Sequence, residues 1–466
     1  MSNFPVVSPA TGQAVGEVLD AGPDEARRCV DAAVAAFPSW RASTAYERAT
    51  ILRRWNDLVL AHVDELARII AQEMGKPVAE ARGEVRYAAS FIEWYAEEAK
   101  RVYGETLPSQ AAGKRLIVNR QPVGPVYAIT PWNFPAAMVT RKAAPALAAG
   151  CTFVLKPAEQ SPLTALRLLE LWQAAGGPPG VLQVITTLNP AAVSEVFLSD
   201  PRIRKLSFTG STEVGMRLYA QSASTMKRIS LELGGHAPFL VFEDAELDAA
   251  VREVCASKFR NAGQTCVCVN RIYAHESIRA EFTRRLAEAV RALKMGDPLD
   301  ETTQIGPLVD AAGLAKVREH VDDAIARGAR ALTGGTQNGG LYFAPTVLDG
   351  IQPGSRILEE ETFGPVAPVL GFRTPQEAID LANSVPWGLA AYLWTRDLTR
   401  AIRVSEALDF GIIGINDGVP STAQAPFGGF KYSGVGREGG KWGIDEYLEV
   451  KFVSIGLGQV AAEPLR

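Results

Sequence analysis

Val126-Tyr127-Ala128-Ile129-Thr130-Pro131-Trp132-Asn133-Phe134-Pro135 reads as a short apolar strand, Val126–Thr130, that stops at a turn bracketed by two prolines. Proline has no N–H to give to a sheet ladder, so Pro131 ends the strand and the turn leads into a helix through Ala148. The pattern then repeats: strand Cys151–Leu155, helix Pro162–Ala175, strand Val181–Ile185, helix Ala191–Leu198, strand Ile203–Phe208, helix Thr212–Ala220, strand Lys227–Glu232. Short strands alternating with helices predict βαβ units and a parallel, doubly wound sheet. Ligands of such sheets bind beyond the carboxyl ends of the strands. Trp132, Asn133, Lys156, Glu159, Gly210, Ser211 and Glu232 all sit at such ends.

On the amino-terminal side, three-and-four spacing of apolar residues predicts helices over Asp24–Phe37, Ala45–His62, Val63–Met74 and Val78–Val102, punctuated by Pro38 and by Gly75-Lys76-Pro77. Tyr87, Phe91, Trp94 and Tyr95 of the last helix read as core. Residues 103–123 read as a hairpin around Gln110-Ala111-Ala112-Gly113 that pairs with another subunit. Beyond Gly234-Gly235 a second αβ series follows: helix 246–259, strand 269–274, helices 277–293 and 311–328, strand 330–333, and then turn-rich segments through Pro426-Phe427-Gly428-Gly429.

Composition narrows the function class. Of 466 residues, 47% are hydrophobic and 21% charged, as in an ordinary globular chain. A net charge of −4 offers no broad attraction to nucleic acid or an anionic membrane. The apolar runs are short, and no secretory signal is visible. Five cysteines are too few and of the wrong parity for a disulfide framework, so a reducing cytoplasm fits. The four histidines and the lone Cys-x-Cys lack metal-ligand spacing, and no metal is expected.

The chemistry centres on Arg260-Asn261-Ala262-Gly263-Gln264-Thr265-Cys266-Val267-Cys268, two cysteines in a polar turn. Loops display reactive groups, which makes Cys266 a candidate nucleophile; two reduced thiols packed under a loop are the alternative. The G-x-G-x-x-G at Gly434–Gly439 has no strand before it and no βαβ unit around it, so it is a decoy. Phe208-Thr209-Gly210-Ser211-Thr212-Glu213 is the better phosphate candidate, because a strand turns through glycine into a helix; a plain Ser-capped helix reads equally well. Lys156 and Glu159 lie where a ribose would bind, or form a surface ion pair. Glu232, between Leu231 and Leu233, is a candidate general base through desolvation, or an exposed strand-end residue. The Asn133 amide can donate to an oxyanion or simply shape the turn.

Taken together, Pro131-Trp132-Asn133-Phe134-Pro135, Lys156-Pro157-Ala158-Glu159, Phe208–Glu213, Leu231-Glu232-Leu233-Gly234-Gly235, Gly263-Gln264-Thr265-Cys266, Glu360-Glu361-Thr362-Phe363-Gly364-Pro365 and Pro426–Gly429 resemble the aldehyde dehydrogenase superfamily in order and spacing across almost the whole chain. The resemblance implies two doubly wound αβ domains plus a small β oligomerisation element. Residues 1–102 and 124–234 would bind the dinucleotide, 235–434 would form the catalytic domain, and 103–123 with 447–466 would join subunits into a homodimer or homotetramer. It further implies that Cys266 attacks the aldehyde, Asn133 and the Cys266 N–H hold the oxyanion, and Glu232 activates water. Thr130, Trp132, Lys156, Glu159, Gly210, Ser211, Leu233, Glu361 and Phe363 would then contact the cofactor. Glu159 favours NAD over NADP, because its carboxylate repels a 2′-phosphate.

Ser257–Cys268 and Met138-Val139-Thr140-Arg141-Lys142 resemble the succinate-semialdehyde dehydrogenases of that superfamily. The resemblance implies that Arg141, Arg260 and Ser421 grip a distal carboxylate, which needs cations in a partly dry pocket. Glutarate semialdehyde or a broader aldehyde range are the alternatives. The chain departs from its relatives at Thr187, where they usually have glycine near the adenosine, and at Pro420, where they carry Ile or Leu. A non-catalytic protein on the same scaffold would lack the nucleophile, base or oxyanion donor; all three are here. Cys268 stands close enough to Cys266 to suggest a reversible disulfide.

Overall fold

The computed structural model describes residues 2–458; the final part of the expected 447–466 segment lies outside them. Its first large sheet has the strand order Gly434–Val435, Arg228–Glu232, Lys205–Thr209, Val126–Ile129, Phe153–Lys156, Leu182–Val184. All neighbours are parallel except Gly434–Val435, which runs antiparallel along Arg228–Glu232. Strand alternation divides the core between two faces. Val126, Ala128, Phe153 and Leu155 pack with the helices Ala45–Ala61, Val63–Met74, Val78–Glu98 and Ala137–Ala149, whereas Tyr127 and Val154 pack with Pro23–Ala42 and Pro190–Ser199.

Local chemistry sets most helix ends. Thr44 accepts the Glu47 N–H while the Glu47 carboxylate takes the Thr44 N–H at 2.7 Å, a capping box that starts Ala45–Ala61. Gly75, at φ 84°, closes Val63–Met74, and a Cβ there would lie 2.7 Å from the Pro307 ring. The first helix does not stop at Pro38. It runs through the proline to Ala42, because the last turn buries Trp40 edge-on against Trp172 at 5.9 Å and so offsets the roughly 3 kcal/mol that an internal proline costs.

The second sheet has seven strands in the order Arg330–Thr333, Thr346–Asp349, Val366–Phe372, Val269–His275, Ala237–Val241, Ala390–Trp394, Ile412–Ile415, with only the first antiparallel. Four of these strands, with the helices Pro375–Asn383 and Leu398–Ala407, occupy the stretch expected to be turn-rich. Thr346–Asp349, Val366–Phe372 and Ala390–Trp394 escaped the sequence reading because strands covered on both faces show no polar alternation, and the edge strand Ile412–Ile415 because its four residues are all apolar or glycine. A third sheet pairs Lys114–Pro122 with Glu105–Leu107 and, register by register, with Leu448–Gly456. The hairpin of Ser2–Val7 with Ala14–Asp20 was also unforeseen.

The G-x-G-x-x-G segment starts with an edge strand, Gly434–Val435, antiparallel to Leu231–Glu232, and, against the sequence reading, a short strand, Phe430–Lys431, precedes it. Gly434 is needed for another reason: at φ 149°, a Cβ would lie 2.1 Å from the Leu231 carbonyl oxygen. The segment flanks the strand that carries Glu232.

Candidate active site

The polar turn before Cys266 is built against its backbone preferences. Asn261, Ala262 and Gly263 have φ of 51°, 53° and 76°, three left-handed residues in succession. Gly263 permits this, since a Cβ there would lie 2.1 Å from the Gly364 oxygen. Ala262 carries a strain on the order of 1–3 kcal/mol, held by its surroundings. Those surroundings are the turn's own polar side chains, which replace ladder hydrogen bonds. Asn261 donates from Nδ2 to the carbonyls of Asn133 and Gln264, each at 3.1 Å, and its N–H reaches Glu80 at 2.8 Å. Gln264 accepts the Val309 N–H at 2.9 Å and donates to the Asn261 carbonyl at 3.0 Å.

Cys266 stands where two cavities meet. One, of about 370 Å³, is lined by Glu80, Tyr87, Arg141, Arg260, Ser421 and Phe427; the other, of about 630 Å³, lies across the carboxyl ends of the first sheet. Burial pushes the Cys266 thiol up to about 12, with Arg141 pulling it down. Cys268 does not share this outlook: it is buried, 3.3 Å from Lys258 Nζ. Both thiols are free.

Asn133 donates from Nδ2 to the Gln264 carbonyl at 3.1 Å, which fixes one amide proton and leaves the other. Glu232 is buried, not exposed, and its Oε2 has no hydrogen-bond partner. Burial, and then the charge of Glu438, hold its carboxyl well above the usual carboxylate range. Glu438 itself is lowered, because Lys142 and Arg141 together outweigh its burial. Arg141 Nε lies 2.5 Å from Glu438 Oε2, a close ionic contact not aligned as a hydrogen bond. Gly428 leaves room for the base, since a Cβ there would lie 2.8 Å from Glu232 Oε1.

The larger cavity gathers Thr130, Trp132, Lys156, Glu159, Gly210 and Ser211, together with Leu233, Glu361 and Phe363. Lys156 is buried and paired with Glu159, whose side chain is partly exposed. Ser211 caps the helix Thr212–Ser222 by accepting the Val214 N–H at 3.3 Å. Trp132 and Phe363 meet edge-on at 5.6 Å. Glu361 accepts the Gly235 N–H at 3.3 Å, and burial raises its carboxyl to about 7. Thr209 Oγ1 is buried without a partner, and a side chain at Gly234 would crowd Glu361 Oε2 at 3.0 Å. A strand-end cleft with an anion-tolerant helix start, an ammonium–carboxylate pair and two aromatic side chains set edge-on fits a dinucleotide. Thr187 stands off this cleft, with its hydroxyl donating to Asp20 and accepting the Asn189 N–H.

The smaller cavity brings Arg141, Arg260 and Ser421 together, from three distant stretches. Sequence reasoning missed Tyr87, read as core, which lines this cavity and has a buried hydroxyl without a hydrogen-bond partner. It also missed Glu438, which has no periodic or motif signal of its own and reaches the site only through the turns after Gly434.

Comparison with known proteins places these features in context. The model of the aldehyde dehydrogenase family matches residues 1–453. A succinate-semialdehyde dehydrogenase of Escherichia coli K12, designated for NADP(+), is 55% identical over 97% of this chain and 94% of its own. A glutarate-semialdehyde dehydrogenase of Pseudomonas putida KT2440 is 53% identical over the same shares. The crystal structure of an E. coli NADP-dependent enzyme superposes with a TM-score of 0.97 at 54% identity, covering 98% of this chain and 95% of that one.

Proposed function

The chain belongs to the aldehyde dehydrogenase family, and from that premise we propose that it oxidises succinate semialdehyde to the dicarboxylate with NAD as cofactor. The observation that carries this is a set of buried donors without partners, Arg260 Nε, Ser421 Oγ and Tyr87 Oη, on residues that line the smaller of the two cavities meeting at Cys266. Arg141 lines the same cavity but already faces Glu438, so Arg260 is the cation left for a ligand; it makes no ion pair among the described residues. Buried donors left unsatisfied cost on the order of 1–3 kcal/mol each, more for charged groups, and an anionic substrate satisfies them.

Cys266 forms the bond to the aldehyde carbon, and the oxygen takes the displaced electron pair as an oxyanion. Asn133 Nδ2 and the Cys266 N–H receive that charge; among the described residues this N–H donates to no other acceptor. Bound NAD supplies the hydride acceptor. Glu232 then takes a proton from water as its oxygen attacks the thioester carbon, and the Cys266 sulfur leaves as thiolate. Lys156, Glu159, Ser211, Glu361, Trp132 and Phe363 would hold the dinucleotide.

Arg260→Ala is expected to lower kcat/KM for succinate semialdehyde about 10²–10³-fold, as for one side of a buried charged contact. For propanal the loss should stay under about threefold. Equal losses on both aldehydes would remove the anchor and the substrate with it. Glutarate semialdehyde is the second reading, favoured by the cavity's 370 Å³. One methylene is worth only about 10–200-fold in discrimination, and the same assay ranks the two.

The preference for NAD is supported by Glu159, whose carboxylate suits a free 2′-hydroxyl and repels a 2′-phosphate. Glu159→Ala is expected to raise kcat/KM for NADP at least about tenfold, or 1.4 kcal/mol; an unchanged cofactor ratio would count against the assignment. Assembly into a homodimer or homotetramer through the three-stranded sheet is supported by exposed Leu107, Val450 and Phe452 on it. Residence in the cytoplasm is supported by five free cysteines. Among the described residues, no helix is long and apolar enough to cross a membrane.

A further inference from the structure

Gly75-Lys76-Pro77 separates two helices, yet Lys76 is not a spacer. Its side chain is 1% exposed, and so is that of Glu84, two turns further along the helix Val78–Glu98, with which it forms a buried ion pair. The ammonium has three protons and three acceptors: the Glu84 carboxylate, the Asn133 carbonyl at 2.8 Å and the Phe134 ring, whose centroid is 3.6 Å away. The other Glu84 oxygen accepts the N–H groups of Ala136 at 2.9 Å and Ala137 at 3.3 Å. The pair therefore holds the turn that leads from Asn133 into the helix, at the carbonyl of residue 133, the ring of 134 and the amides of 136 and 137. Asn261 braces the same carbonyl from the cysteine loop at 3.1 Å.

We propose that Lys76 and Glu84 are positioning residues for the oxyanion donor: they fix the Asn133 backbone so that its amide meets the charge that develops on the substrate oxygen. A buried ion pair is a poor source of stability, because desolvation cancels most of the attraction. What it supplies is geometry, and catalytic hydrogen bonds lose up to about 10²-fold for a displacement near 1 Å. Both line the smaller cavity, but their hydrogen bonds go to each other and to the backbone of residues 133, 136 and 137, and none goes to Cys266 or to the Asn133 side-chain amide. The inference rests on the reading of Asn133 as oxyanion donor, and a double-mutant cycle separates the two.

Asn133→Ala alone should lower kcat about 10²–10³-fold; an unchanged kcat would refute the oxyanion reading itself. Lys76→Met in the native background should lower kcat at least about tenfold with KM for the aldehyde within about threefold, and in the Asn133→Ala background it should cost less than about twofold more. Losses that multiply in full, or a rise in KM at constant kcat, overturn the proposal. If Lys76→Met fails to fold, judged by melting and by NADH fluorescence on binding, Glu84→Gln takes its place in the cycle. That variant keeps the shape but has one acceptor oxygen where the carboxylate uses two, so either Lys76 or the Ala136 and Ala137 amides lose their partner; a kcat equal to the parent's would then overturn the proposal.

Discussion

Replacement of Cys266 by alanine is expected to lower kcat for succinate semialdehyde by at least about four orders of magnitude, the largest effect of any single change in this protein. The reason is that nothing else at the meeting of the two cavities can form a covalent bond to the aldehyde carbon, and without that bond the carbon never becomes the tetrahedral oxyanion that expels hydride. Cys268 is no substitute, since it is buried against Lys258 and lines neither cavity. Binding of NADH, followed by its fluorescence, should persist, because the larger cavity is held by Lys156, Glu159 and Ser211 and not by the thiol. Residual turnover above about one hundredth of the parent's would mean that another group attacks the aldehyde. The thiol also needs help: burial raises it to about 12, so its anion forms only as a base or a bound cation favours it.

Glu232→Gln is expected to divide the reaction in two. One equivalent of NADH per site should appear rapidly, followed by a steady rate about 10²–10⁴-fold below that of the parent, because the amide cannot take a proton from water. Absence of the burst would place Glu232 before hydride transfer instead of after it. The pH dependence follows from the same residue. Burial and the Glu438 charge favour the protonated, inactive form, so the carboxyl titrates above its ordinary range and the hydrolysis rate rises with pH through that raised value. In Glu438→Gln the repulsion disappears while Lys142 and Arg141 stay; both changes favour the Glu232 carboxylate, and the acid limb of kcat should move to lower pH. A shift to higher pH would show that Glu438 does not act on Glu232 by charge.

The disulfide suggested by Cys266-Val267-Cys268 has to contend with the same surroundings. The two thiols occupy different environments, one open to both cavities and one bonded to Lys258 and within reach of Asn270. A bridge would have to draw Cys268 out of these contacts as well as close a small ring.

By itself, the order of short apolar strands and helices from Val126 to Glu232 determined a parallel sheet and the edge along which a ligand lies, because strand ends and their turns are local events written in proline, glycine and capping residues. The motifs also named Cys266, Glu232 and Asn133. The strands Thr346–Asp349, Val366–Phe372 and Ala390–Trp394 could not be read, since burial on both faces erases alternation. Only the tertiary structure decided how far apart in sequence the members of one site could be. Tyr87 looked like core on a helix, and Lys76 like a break between two. Glu438 lay in a glycine-rich tail. All three reach the reaction's surroundings through packing between elements, a relation that local sequence does not carry, and their charges and hydroxyls matter because the fold removes the water that would otherwise screen them.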